Sequence, residues 1–199
     1  MKKLLFLLLS IIATLTCICA QKSVAQKPSF SIALLNENFG LAGLKKNTPL
    51  HLGGSIAVGF TRKENEVYRA TNTLELGYFN HGSVFQAAYL AWKPTFEWQF
   101  QNGLQLHGIL GMGYVHTLPT QQTYTQENGV YQTTNNNGRP GGLASLGLGL
   151  GYQFAQKSEL PITLFVRHEL AVIAPFDIYK ALPLGINTML KVGVTLHPF

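Results

Sequence analysis

Charge and cysteine are both scarce in this chain. Charged residues make up 12% of its 199 positions, about half the roughly 25% of an ordinary soluble globular protein. That excludes a highly charged helical protein or a coiled coil. Proline numbers 9 and glycine 20, and 46% of the residues are hydrophobic, a composition unlike collagen or a disordered chain. Beyond residue 25 no run of about 18 consecutive apolar residues occurs, so no membrane-spanning helix is expected there.

The N-terminus has the order of a secretory signal. Lys2 and Lys3 precede an apolar run from Leu4 to Ile12, continued by Ala13, Leu15 and Ile18, and Ser23-Val24-Ala25 supplies the small-x-small pattern of a cleavage site. The expected signal is 1–25, with Ala20 as a second cleavage candidate. Lipid attachment needs an aliphatic residue three places before the modified cysteine, but Cys17 has Thr14 there and Cys19 has Thr16. Removing 1–25 takes both cysteines, so disulfides and thiolate metal sites are not expected in the mature chain. It also takes Lys2, Lys3 and Lys22, leaving 12 basic against 9 acidic residues, a formal charge of +3. With no basic stripe on a helix, nucleic-acid binding is disfavoured.

What fills the chain instead is alternation with a period of two, the geometry of a strand. In 67–79, Tyr68, Ala70, Leu74, Leu76 and Tyr78 share one face, and Arg69, Thr71, Thr73, Glu75 and Gly77 the other. Eight such segments are expected, at 29–36, 50–61, 67–79, 84–100, 104–116, 142–154, 161–174 and 185–199. Even-numbered positions carry the apolar face in nearly all of them. The links after the second, fourth and sixth are short, and Asn102-Gly103 is a strong hairpin signal. Links at 37–49, 117–141 and 175–184 are long, with 80–83 the brief exception. Short turns on one rim and long loops on the other fit a transmembrane barrel, with the turns periplasmic.

The odd-numbered face decides between a barrel and a soluble sandwich. Arg69, Glu75, Lys93, Glu97, Arg167, Glu169 and Lys191 all fall on it. A sandwich would turn them to water, whereas a small closed barrel would gather them as a paired plug behind a lipid-facing apolar surface. Four positive charges against three negative suit the plug, because an unpaired buried charge costs several kcal/mol. Gly111, Gly113, Gly147, Gly149 and Gly151 leave space on the same face, as room for Phe85 and Tyr89. Aromatic residues gather near segment ends: Phe60, Tyr68, Trp98, Phe100, Tyr152 and Phe154 by the short turns, Tyr78, Phe79, Tyr114, Phe176 and Tyr179 by the long loops.

Segments such as Leu110-Gly111-Met112-Gly113-Tyr114-Val115-His116-Thr117 and Leu146-Gly147-Leu148-Gly149-Leu150-Gly151-Tyr152 resemble strands of the small eight-stranded outer-membrane β-barrel proteins of Gram-negative bacteria. The terminal Phe199 resembles their C-terminal assembly signal. His197, Thr195 and Gly193 stand where that signal has apolar residues, so the apolar set is displaced by one, as by a bulge near Pro198. The resemblance implies an all-β, antiparallel up-and-down barrel over 26–199, an outer-membrane location, and the barrel assembly machinery as a partner of the last strand. A monomer is expected.

One enzymatic branch of such barrels, the lipid A deacylases, uses a His-x-Ser pair and a carboxylate facing lipid. His168 is followed two residues later by Leu170, so the nucleophile is missing there, and Glu169 points to the opposite side of the strand. His81-Gly82-Ser83 matches the triplet but falls in the loop after the third segment, where it reads as polar turn chemistry. His168 on the lipid face is expected to reach headgroups near the outer rim, and His116 beside Tyr114 to lie at the rim. The six histidines, His51, His81, His107, His116, His168 and His197, are not spaced as ligands on one face, so no metal or other cofactor is expected.

Lys45, Lys46, Arg139 and Lys180 fall on the long-loop rim, where they suit lipopolysaccharide phosphates. The polar, nearly uncharged loop 117–141 is expected to be mobile filler between strands, with contact to glycans or a partner through its amides, Tyr124 and Tyr131 as the alternative. The function expected is a non-enzymatic outer-membrane barrel with a plugged polar lumen, structural or binding through its outer loops. A lipid A-modifying hydrolase and a soluble periplasmic barrel holding an apolar ligand are the alternatives. A pore is disfavoured, since side chains fill the space that eight strands enclose.

Overall fold

The computed structural model describes residues 28–39, 50–82, 85–120, 123–127, 130–134, 137–154, 162–175 and 184–197. They form ten strands: β1 (Pro28–Phe39), β2 (Leu52–Glu64), β3 (Tyr68–His81), β4 (Phe85–Gln99), β5 (Leu104–Pro119), β6 (Thr123–Glu127), β7 (Val130–Thr134), β8 (Arg139–Phe154), β9 (Ile162–Ala174) and β10 (Gly185–Leu196). Eight close into an antiparallel barrel in the order β1-β10-β9-β8-β5-β4-β3-β2, while β6 and β7 pair separately as a two-stranded sheet. Closure leaves no unpaired edge, the requirement for strands in hydrocarbon.

The short links are closed by local chemistry. At the β4–β5 turn Gly103 takes φ +86, which Asn-Gly turns require, and the Phe100 amide donates to the Leu104 carbonyl at 2.9 Å. At the β2–β3 turn the Asn65 side-chain oxygen accepts from the amides of Val67 (3.1 Å) and Tyr68 (2.7 Å). A register shift between Thr61 and Lys63 interrupts the end of β2. Such a bulge reverses the parity beyond it, and it turns the even-numbered Glu64 inward to Arg69.

The loop 117–141 departs from expectation. Strand β5 continues to Pro119, β8 begins at Arg139, and between them β6 and β7 form a hairpin with Thr123 opposite Thr134 and Glu127 opposite Val130. Thr and Tyr favour strands, but this stretch has no apolar face for a hydrophobic-periodicity test to detect. The described part of β10 keeps an unbroken register with both neighbours to Leu196, opposite Phe30 and Ile162. Pro198, Phe199 and the whole of 1–25 lie outside the described residues.

The interior is layered rather than uniformly polar. Toward the long-loop end it is an apolar core of Leu35, Phe79, Phe85, Ala87, Val115, Leu143, Ile173 and Met189. Charged layers occupy the middle and the short-turn end. Phe79 is fully buried in that core, not part of an interfacial belt, because its odd position points inward. Phe176 and Tyr179 lie outside the described residues.

The glycines serve different neighbours from those expected. A Cβ on Gly77 would lie 2.2–2.4 Å from the Tyr89 ring, so Gly77 makes the space for that ring. Gly147, Gly149 and Gly151 instead accommodate Glu169, Arg167 and His107. Gly77→Ala is expected to destabilise the barrel by about 1–3 kcal/mol through overpacking. The measurement is the urea midpoint in detergent micelles, and Gly77→Ala combined with Tyr89→Leu should recover part of the loss.

Candidate functional site

All seven charges expected on the inner face are inside the barrel. Glu75, Lys93, Glu169 and Lys191 meet at mid-height from β3, β4, β9 and β10. Lys191 Nζ lies 2.5 Å from Glu75 Oε1 and 2.9 Å from Glu169 Oε1. Lys93 Nζ lies 3.1 Å from Glu75 Oε1 and 2.6 Å from Glu169 Oε2. The Tyr89 hydroxyl donates to Glu75, and both ammonium groups sit about 5.5 Å from the Tyr89 ring centroid. Two cations and two anions share one buried space, so the square is neutral and its strong hydrogen bonds are charge-assisted.

The second charged layer lies toward the short turns. Arg69 pairs with Glu64 at 2.5 Å and faces Glu97 at 3.5 Å, and Arg167 faces Glu97 at 3.9 Å. Arg167 Nε donates to His107 Nδ1 at 3.1 Å, and its guanidinium stacks 4.0 Å over the Phe165 ring. Glu64 brings this layer to two arginines and two glutamates. Parity counting misses it because the bulge after Thr61 changes its face. His197, just past the end of β10, closes the inner mouth beside Thr163 at 3.3 Å. Burial first, then the Arg69 and Arg167 guanidinium groups against Glu64, hold its imidazole down to about 4.

Even-numbered residues form the outer surface. Leu148 is 67% exposed and Val192 54%, whereas Glu169 and Lys191 are each 1% exposed. A soluble barrel carrying an apolar ligand inside requires the reverse, so this orientation overturns that alternative. His168 is exposed and stands opposite Leu148 and Leu190, three outward positions from either end of β9. It therefore lies in the middle of the apolar belt rather than near the outer rim. His116 is at the rim, with Nδ1 2.9 Å from the Tyr114 hydroxyl and Nε2 3.0 Å from the Asn137 carbonyl.

His81 turns inward instead of toward lipid: its Nδ1 lies 2.6 Å from Glu37 Oε2. Ser83, Lys45, Lys46 and Lys180 lie outside the described residues, and Arg139 is exposed at the start of β8. Sequence spacing does not reveal that Glu37, His51 and His81 converge, because they come from three different chain segments. Cross-strand register is what unites them: the Glu37 amide donates to the His51 carbonyl at 3.0 Å, and His51 and His81 have ring centroids 3.9 Å apart.

A closed eight-stranded barrel with an apolar exterior and an ion-paired interior is suited to a bilayer and not to water. The chain is a small β-barrel of the outer-membrane type. No protein-family model matches it, and no curated protein sequence does. Among solved structures it is similar to Neisserial surface protein A, at 9% identity over 89% of this chain and 99% of that one, with a TM-score of 0.52. The attachment invasion locus protein Ail of Yersinia pestis matches at 12% identity over 86% of this chain and 97% of that one, with a TM-score of 0.45. The outer membrane enzyme PagL matches at 10% identity over 84% and 97%, with a TM-score of 0.43. The likeness to the Neisserial protein establishes the fold.

Proposed function

We propose that this chain is a non-enzymatic barrel of the bacterial outer membrane that acts structurally or by surface binding through its outer loops. The observation that carries this reading is the filled interior: two neutral ionic layers and an apolar core leave the external face and the loops as the surfaces for partners. The β6–β7 hairpin lies within the longest link of the sequence and is one of these. Lipopolysaccharide is the natural neighbour, with Lys45, Lys46, Arg139 and Lys180 as candidate phosphate contacts, and the assembly machinery is the expected partner of the last strand.

Protease added to intact cells is expected to cut within 120–138 and leave the barrel folded, as judged by heat-modifiable migration on a gel. Deleting 123–134 should leave that migration unchanged. Cleavage seen only after lysis would overturn the display of this loop. A change in lipid A mass on expressing the protein would overturn the non-enzymatic reading.

A further inference from the structure

At the long-loop mouth, Glu37, His51 and His81 each offer one ligand atom, and these atoms all lie within 4.8 Å of one another. Glu37 Oε2 is 2.6 Å from His81 Nδ1 and 4.0 Å from His51 Nδ1. The Glu37 side chain is fully buried, while the side chains of His51 and His81 keep 12% and 15% exposure. An aqueous ion thus has a route to the imidazoles. The outward neighbours Asn36, Asn38, Asn80 and Gln86 are polar, so this row stands beyond the apolar belt.

The cluster is held in place by its own backbone. His51 N donates to Asn36 Oδ1 at 2.8 Å, and His51 Nδ1 lies 3.0 Å from the Glu37 carbonyl. Phe85 stacks on the His81 ring at 5.1 Å. The second carboxylate oxygen, Glu37 Oε1, is buried with no hydrogen-bond partner among the described residues. A buried carboxylate with an oxygen that has nothing to accept from is costly, and a cation bound to that carboxylate offsets the cost by neutralising its charge.

We infer that Glu37, His51 and His81 form a binding site for a divalent transition-metal ion, of which zinc is the best fit. Two imidazoles and one carboxylate are a common zinc donor set, and three protein ligands leave a fourth position for water. Ligands on a tetrahedral ion at about 2.0–2.1 Å stand roughly 3.3 Å apart. His81 therefore withdraws slightly, and His51 gives up its Nδ1 contact with the Glu37 carbonyl and approaches, when the ion replaces the proton between Glu37 and His81. This site goes beyond the structural role proposed above, and that reading survives its failure.

The test uses the mature, tag-free barrel refolded in detergent micelles and titrated calorimetrically with zinc chloride. One ion per chain is expected. Glu37→Gln and His81→Ala, each shown to be folded by heat-modifiable migration, should weaken binding more than about 100-fold, above the loss typical of residues that merely orient ligands. His116→Ala should bind as the parent does. Diethyl pyrocarbonate labelling of the parent protein adds a readout that needs no variant: zinc should protect His51 and His81 and leave His116 reactive. Absence of a one-to-one complex, unprotected His51 and His81, or folded Glu37→Gln with the parent's affinity would each overturn the site and leave a Glu37–His81 ion pair in its place.

Discussion

Lys191→Met is expected to lower the stability of the folded barrel by about 3–5 kcal/mol, the usual cost of removing one member of a buried ion pair. Lys191 touches both Glu75 and Glu169. Without it the two carboxylates face a single ammonium, Lys93, in a space buried from bulk solvent, where the excess charge is poorly screened. The methionine fills the volume, so the loss is electrostatic rather than a cavity effect. Adding Glu169→Gln restores neutrality around Lys93 and Glu75. The double variant should therefore be more stable than Lys191→Met alone, which is a coupling that independent sites do not show. Urea midpoints in micelles or vesicles measure both. A Lys191→Met barrel within 1 kcal/mol of the parent, and no recovery in the double variant, would mean that the square contributes little.

The strands and the seven inner charges were legible from parity because closure obliges every strand to keep one face to lipid, and a period of two survives any uncertainty about strand ends. Parity fails where the backbone changes phase. Glu64 is even-numbered and still points inward, because the bulge after Thr61 shifts it. Phe79 shows a second blind spot: an aromatic residue near a strand end has the same sequence signature in an interfacial belt as in a core. Glu37, His51 and His81 show a third, since their approach depends on how β1 is registered against β2 and β2 against β3. Nothing within one strand encodes that register. The β6–β7 hairpin was hidden for a simpler reason: Val130 is its one aliphatic residue, so there is no apolar pattern to repeat.

Leu148→Arg provides the second large effect and tests the orientation itself. Leu148 is in the middle of β8's outward row and stands opposite His168 on β9. An arginine near the bilayer midplane of such a barrel costs about 2–4 kcal/mol, falling to about 0–1 near the interfaces. Phe154, at the short-turn end of the same strand, supplies the comparison: Phe154→Arg should cost much less when both are unfolded from phospholipid vesicles. Equal costs would indicate that this surface has no depth axis, as in a water-exposed sheet. His168 gains its interest from the same gradient. It places a polar ring at the level of Leu148 and Leu190, its outward-facing neighbours across the two adjoining strands. No serine or carboxylate shares its outward face within β9, where Val166 and Leu170 flank it.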